Sequence, residues 1–396
     1  MAQRGLEQRL QDALGELRST GTYKHFQHLT AATGPTATVE GHGEVLVLCS
    51  NNYLGLAAHP HVVAEGTEAL ARYGAGAASV RFICGTLDVH RTLEARLAAW
   101  VGAEAALTYT SCWNANVGLL PALLGDGDVL LSDELNHASI IDACRLVRGA
   151  QRLVYGHSDM GDLEAQLAAH ASARTRLVIT DGVFSMEGDL ADLPHIVALA
   201  ERYDAVVVVD DSHGLGVLGA TGRGTAEHFG LHGRIDITTG TLGKSLGGSA
   251  GGFVAASRAV VDYLAQRSRP QLFSNSLPPA VAGAALGALD VLEREPERVA
   301  RLQQNAAAMR SGLADLGYHP LPGAAAIVPI IVGATADAID WSRRLFDAGV
   351  FVVGFGYPVV PEGAARLRIQ VSAEHTPAHL ARALAAFAAL RQGVAT

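Results

Sequence analysis

A run of β-branched residues, AVVVVDD at 205–211, leads into Asp210, Asp211, Ser212 and His213. Acids at the carboxyl end of a buried parallel strand face the crevice where α/β proteins bind ligands. One of these two aspartates can meet a cationic ring nitrogen, and the opposite charge would hold the proton there. A protonated ring of that kind is an electron sink for a carbanion. The plainer alternative is a strand end with helix-capping acids. Thirty-four positions after Asp210, Lys244 lies in TGTLGKSLGGSAGG (239–252), hemmed by glycines and hydroxyls. That setting permits the close backbone approach a Schiff-base lysine requires; a surface lysine in a glycine-rich turn is the other reading. The Gly-Lys-Ser inside it is not a phosphate loop, because the glycine that motif needs five positions earlier is Thr238 here.

Three further segments carry candidate chemistry. In YTSCWNANVGLLPALL (109–124) a strand runs through a Thr-Ser turn into a helix. The first amides of a helix lack intrahelical partners and, with the helix dipole, attract anions. A phosphate would suit Ser111 and the amides of Cys112 and Trp113; ordinary capping by Thr110 or Ser111 accounts for the same residues. In LSDELNHASIIDA (131–143), His137 follows a strand end at the sheet edge that also carries Asp210. An imidazole there can stack on an aromatic group or move protons, although a lone histidine is more often structural. In ARLRIQVSAEHT (365–376), Arg366 and Arg368 alternate on a strand and share one face. One of them can clamp a carboxylate with two parallel bonds; a solvated edge arginine is the alternative.

The elements that must position these residues are legible in outline. Strands at 128–133, 176–180, 205–211 and 236–241 alternate with helices at 93–102, 162–171 and 193–203. Such alternation predicts a mostly parallel sheet covered on both faces, an α/β fold. Residues 4–19 place Leu6, Leu10, Leu14 and Leu17 at helical spacing, and a strand hairpin is expected after them. Beyond about 286 a charged helix leads into strands at 327–332, 350–354 and 367–372 and a terminal helix from about 376, a smaller α+β region. The expected organisation is an arm and hairpin at 1–45, a large domain at 46–285 and a small domain at 286–396.

Composition narrows the class. The 396 residues are 49% hydrophobic with a net charge of −9 and no basic block, so neither a nucleic-acid nor an anionic-membrane surface is expected. Cys49, Cys84, Cys112 and Cys144 form no CxxC pair, so neither a disulfide scaffold nor a metal site is expected. No signal core and no apolar stretch of about 18 residues stands out, which points to a cytoplasmic location.

The order along the chain — phosphate helix, ring-facing histidine, Asp-x-x-His, lysine, arginine — matches the layout of fold-type I pyridoxal 5′-phosphate (PLP) enzymes. Over about 45–390 the sequence resembles the α-oxoamine synthases. The resemblance rests on CSNNYLGLAAHP (49–60), ASVRFICGT (78–86), SDELNHASIID (132–142), TDGVFSMEGD (180–189), VDDSHG (209–214), TGTLGKSLGG (239–248), RSRPQLFSNSL (267–277) and GYPVVPEG (356–363). It implies a fold-type I large domain with a smaller C-terminal domain and PLP held as a Schiff base on Lys244. It further implies that Asp210 pairs with the pyridine nitrogen, that His213 and Ser185 approach the ring hydroxyl, and that His137 stacks on the ring. Ser111, Cys112, Trp113 and Thr241 would hold the phosphate, joined by Ser274 and Asn275 from the partner chain of a homodimer. Asn51 and Arg368 would hold the amino-acid carboxylate.

The implied reaction condenses glycine with acetyl-CoA to 2-amino-3-oxobutyrate, or cleaves that product with CoA. The segment 21–35 departs from the pattern of the members with that activity, and Trp113 stands where they have a phenylalanine; both bear on the acyl donor. The alternatives are an 8-amino-7-oxononanoate synthase or another acyl-CoA specificity, a PLP aldolase or aminotransferase that needs no acyl-CoA, and a silent partner subunit. A silent subunit would need none of Lys244, Asp210 and His213.

Overall fold

A computed structural model describes residues 2–392, with side chains from Gly5 onward. Met1 and residues 393–396, the outer ends of the expected arm and C-terminal region, lie outside the described residues. The chain divides into two compact units. One holds Asn51–Gln304 with Gly323–Ala326; the other holds Met1–Ser50, Asn305–Pro322 and Ile327–Thr396.

The first unit is built on a seven-stranded sheet. Its strands are β1 (Ala105–Tyr109), β2 (Asp128–Asp133), β3 (Gln151–Tyr155), β4 (Thr175–Asp181), β5 (Ala205–Asp210), β6 (Ile237–Thr241) and β7 (Gly252–Ala256). They are ordered β1-β7-β6-β5-β4-β2-β3. Strands β3, β2, β4, β5 and β6 are parallel, and β7 runs antiparallel between β6 and β1. The expected α/β class with a mostly parallel sheet is therefore what forms. Successive residues of one strand feed opposite cores: Ile179 and Val208 pack with Leu119, Leu130 and Val254, while Val178, Val207 and Val209 pack with Leu131, Leu193 and Ile196. Burial on both faces is why these strands read as unbroken apolar runs.

Short caps fix where the helices begin. Asp192 accepts a hydrogen bond from the backbone N of His195 to start Leu193–Tyr203, and Asp204 ends it in the left-handed region at φ 50°. The single charged helix expected beyond 286 is instead two, Pro279–Arg294 and Glu297–Asp315. Pro296 separates them. It has no N–H to continue the ladder, and it forces the preceding Glu295 out of the helical region, to φ −127° and ψ 58°.

In the second unit, Thr36–Val39 and Gly43–Val47 form the expected antiparallel hairpin. Ile327–Gly333 pairs antiparallel with Ala365–Gln370. The strand expected over 350–354 is two short pieces serving different sheets: Val350–Phe351 pairs with the hairpin, and Val353–Phe355 pairs with Ala365–Gln370. Leu46, Leu48, Met309, Leu313, Val328, Leu367 and Phe387 form this unit's core. Ala2–Ser19 is helical, with Leu6, Leu10 and Leu17 exposed. Among the described residues, no helix is long and apolar enough to cross a membrane.

Candidate active site

The carboxyl ends of β2, β4, β5 and β6 gather polar side chains at one edge of the first unit. Asp181 and Asp210 end β4 and β5 and lie in register with one another, and Asp210 is in register with Thr239 of β6. A cavity of about 220 Å³ opens there. It is lined by Ser111, Cys112, Trp113, His137, Ser139, Asp181, Ser185, Asp210, Ser212, His213, Thr241 and Lys244. The structure thus brings together nine of the residues singled out in the sequence, from two strand ends, three loops and two helix starts. Its further lining residues Ser139, Asp181 and Ser212 are not among those nine.

Asp210 is 4% exposed and held from several sides. Asn116 Nδ2 donates to its Oδ2 at 2.7 Å, the Ser212 backbone N donates to Oδ1 at 3.1 Å, and the Cys112 thiol lies 3.6 Å from Oδ2. Asp211, equally buried, does not line the cavity. It accepts from the backbone N of Thr225 at 2.9 Å and from its hydroxyl at 3.0 Å. Burial pushes the Asp211 carboxyl up to about 7. Of the two acids, Asp210 is the one that lines the cavity.

Neighbouring charges tune this edge. Burial, then the charge of Asp210, push the Asp181 carboxyl well above the usual carboxylate range. Its Oδ2 accepts from the backbone N of His137 at 2.8 Å. Burial lowers the His137 imidazole below its ordinary value, against the pull of Asp210. Burial likewise pushes the Cys112 thiol far up, with Asp210 adding to the effect. Cys112 is therefore a neutral packing group rather than a nucleophile.

The segment before the helix Cys112–Leu123 forms one wall of the cavity. Ser111 is the capping residue, accepting from the Asn114 backbone N at 3.1 Å. Across from it, a Cβ added to Gly252 would lie 2.3 Å from the Cys112 backbone N. Only glycine keeps that amide clear. The Thr241 hydroxyl donates to the Gly251 carbonyl at 3.2 Å and accepts from the Gly243 N at 3.1 Å, which shapes the loop carrying Lys244. The chain has just two lysines, Lys24 and Lys244, and only Lys244 belongs to this unit.

His137 caps the helix Ala138–Leu146, and Trp113 meets its ring edge-on at 6.1 Å. Trp113 is 43% exposed, so its indole stands at the mouth while its backbone sits in the first helical turn. His213 Nδ1 lies 2.8 Å from the Tyr53 hydroxyl, a buried contact. Ser185 sits on a loop closed by the bridge between Val183 and Leu190. Its neighbour Phe184 is fully buried under the His157 ring at 4.4 Å.

Four other expected residues, two of them assigned to the partner chain's site, do not line this cavity. Ser274 follows the short helix Arg269–Phe273, Asn275 bridges to Val80, and neither lines the cavity. Asn51 is half-buried at the start of the first unit and also does not line it. Arg368 belongs to the second unit, where its guanidinium lies 4.6 Å over the Phe355 ring and its Nη2 donates to Gln370 Oε1 at 3.3 Å.

The aminotransferase class I and II family matches over residues 43–387. The 2-amino-3-ketobutyrate coenzyme A ligase of Escherichia coli K12 is 47% identical over 382 residues, 96% of each chain. The 8-amino-7-oxononanoate synthase of Exiguobacterium sibiricum is 49% identical over 378 residues, again 96% of each. A solved structure of SPT (serine palmitoyltransferase) with a PLP internal aldimine is 32% identical, with a TM-score of 0.92 over 98% of this chain and 97% of that one. This chain belongs to the aminotransferase class I and II family and, within it, to the α-oxoamine synthases.

Proposed function

We propose that this chain is a PLP-dependent acyltransferase. It condenses glycine with acetyl-CoA to give 2-amino-3-oxobutyrate and CoA, or runs the reverse cleavage. The observation that carries the reading is one cavity holding Lys244, the buried Asp210 and the first turn of a helix. The residues fit a phosphorylated, ring-bearing cofactor. Asp210 is a buried carboxylate at a position to face a cationic ring, and Gly252 leaves the Cys112 amide clear for a phosphate oxygen.

When bound, PLP supplies an aldehyde for a lysine amine and a ring that takes up the electron pair left on an α-carbon. Asp210 would keep the ring nitrogen protonated. His137 would pack on the ring, His213 and Ser185 would serve its hydroxyl, and Ser111, Cys112, Trp113 and Thr241 would hold the phosphate. Lys244 Nζ takes the glycine α-proton. The carbon so freed bonds to the thioester carbonyl carbon, the C–S bond breaks, and the sulfur leaves as CoA thiol. Arg368 and Asn51 hold the glycine carboxylate.

Similarity at 47% identity to 2-amino-3-ketobutyrate coenzyme A ligase favours glycine and acetyl-CoA. Similarity at 49% to an 8-amino-7-oxononanoate synthase supports a second reading, L-alanine with a pimeloyl thioester. The chain acts as a homodimer in which Ser274 and Asn275 complete the partner's phosphate site. In support, Phe82, Ile83 and Phe273 are exposed beside the Val80–Asn275 bridge, an apolar patch suited to a second copy. Four free cysteines suit a reducing compartment such as the cytoplasm. The test is thiol release over a matrix of glycine and L-alanine with acetyl-, propionyl-, hexanoyl- and pimeloyl-CoA. A kcat/KM highest for glycine with acetyl-CoA supports the proposal; a rise with chain length, or a preference for alanine, overturns it in favour of the second reading.

A further inference from the structure

Asn116 lies one turn inside the helix Cys112–Leu123 and is fully buried. It was not among the sequence candidates, and it does not line the cavity. Its side chain nevertheless touches both sides of the site. Nδ2 donates to Asp210 Oδ2 at 2.7 Å and to Ser139 Oγ at 2.9 Å, and Oδ1 accepts from the Thr239 hydroxyl at 2.9 Å. Ser139 Oγ in turn lies 2.8 Å from His137 Nδ1. Every one of these groups except His137 is buried, so each bond has a fixed partner rather than exchanging with water.

The direction of this chain follows from the chemistry of its first member. The amide nitrogen of Asn116, which can only donate, faces Asp210 and donates to its Oδ2. The second N–H of that nitrogen then reaches Ser139 Oγ, which becomes an acceptor there. The hydroxyl proton of Ser139 is left to donate to His137 Nδ1. The Ser139 backbone N also donates to Nδ1, at 3.2 Å. Two donors on one ring nitrogen leave no room for a proton on it.

We propose that Asn116 and Ser139 are positioning residues that lock His137 as its Nε2–H tautomer, with the direction of the relay set by the Asn116 amide nitrogen that faces Asp210 and Ser139. The ring that faces the cofactor is then neutral, its Nδ1 is consumed by its own helix start, and Nε2–H is what it offers the pocket. Any proton that His137 exchanges with substrate must pass through Nε2. The proposal rests on the proposed function only in treating the cavity as a cofactor site; the tautomer is a property of the chain itself.

The experiment is nitrogen NMR of the full-length protein labelled with ¹⁵N-histidine, with and without added PLP, the His137 signals being assigned by their loss in His137→Gln. In the unsubstituted protein, Nδ1 should resonate as an unprotonated nitrogen and Nε2 as a protonated one. Ser139→Ala removes the hydroxyl donor and should raise the Nδ1–H share about fivefold, the worth of one ordinary hydrogen bond. Asn116→Leu, close in size and without donors, should move the ratio in the same direction. A proton on Nδ1 in the unsubstituted protein overturns the proposal. So does a ratio that Ser139→Ala leaves unchanged, because the backbone amide alone would then set the tautomer. Either result can arise whether or not glycine and acetyl-CoA prove to be the substrates.

Discussion

Asp210 and Asp211 are adjacent in sequence and turned to different partners: Asp210 lines the cavity and accepts from Asn116 at 2.7 Å, while Asp211 accepts from the backbone N of Thr225 at 2.9 Å. The two should separate cleanly by mutation. Asp210→Asn keeps the shape and removes the charge, so glycine α-proton exchange in the PLP-loaded protein should fall on the order of 100-fold while the fold is retained. Asp211→Ala should leave exchange within a few-fold and lower stability by ~1–3 kcal/mol, because it strands the buried Thr225 donors. Deuterium exchange into glycine, paired with thermal melts, reads both effects.

Gly252→Ala places a methyl group against the Cys112 backbone, 2.3 Å from its nitrogen. Backbone on both sides leaves little to give, so the variant should lose ~1–3 kcal/mol of stability. It should also bind PLP at least tenfold more weakly than a control destabilised equally elsewhere in the sheet. Fluorescence titration with PLP checks this; equal affinities would remove the Cys112 amide from the phosphate site.

His157 bridges Asp133 at 3.0 Å and Asp189 at 2.9 Å, and bonds to the two carboxylates raise its imidazole to about 10. A folded-state value above the unfolded one, about 6.5, means the bridge stabilises fully below that pH. The contribution is then lost as pH rises through about 10. Stability should therefore fall between about pH 7 and 10, and His157→Gln, which cannot carry the charge, should flatten that slope. Denaturant melts across this range measure it.

Arg368 is the proposed carboxylate clamp. Its loss in Arg368→Ala should weaken glycine binding roughly 10–150-fold, the equivalent of ~1.5–3 kcal/mol for a charge-assisted bond. Arg368→Lys should recover only part of this, since an ammonium neither forks nor stacks on Phe355 as the guanidinium does at 4.6 Å. Unchanged glycine affinity in Arg368→Ala would shift the role to Arg366.

Much of this site was legible because its chemistry sits at strand ends. Asp210 closes an unbroken β-branched run, and His137 follows the apolar strand 128–133. What the sequence withheld is direction. A strand pattern cannot say whether Asp210 or Asp211 faces the crevice once the chain leaves the sheet. Asp181 carried the same signal as Asp210, an acid closing RLVIT, but it falls one residue past the expected strand end. Asn116 was hidden for a different reason: a polar residue within an apolar helix declares no function until the tertiary fold shows what it bonds. The strands Gln151–Tyr155 and Gly252–Ala256 also escaped, one a half-exposed edge and the other opening on a glycine required by close packing. The break at Pro296 followed from local stereochemistry and was readable; the strong helical periodicity on both sides masked it.

The central claim is that Lys244 carries the cofactor, and the composition makes its test unusually sharp. Lys24 is the other lysine in the chain. The PLP-loaded protein should be reduced with borohydride, digested and mapped by mass spectrometry. The account predicts the added phosphopyridoxyl mass on the peptide containing Lys244, and no fixed label in Lys244→Ala. Label fixed on Lys24, or none fixed on either lysine, would contradict it.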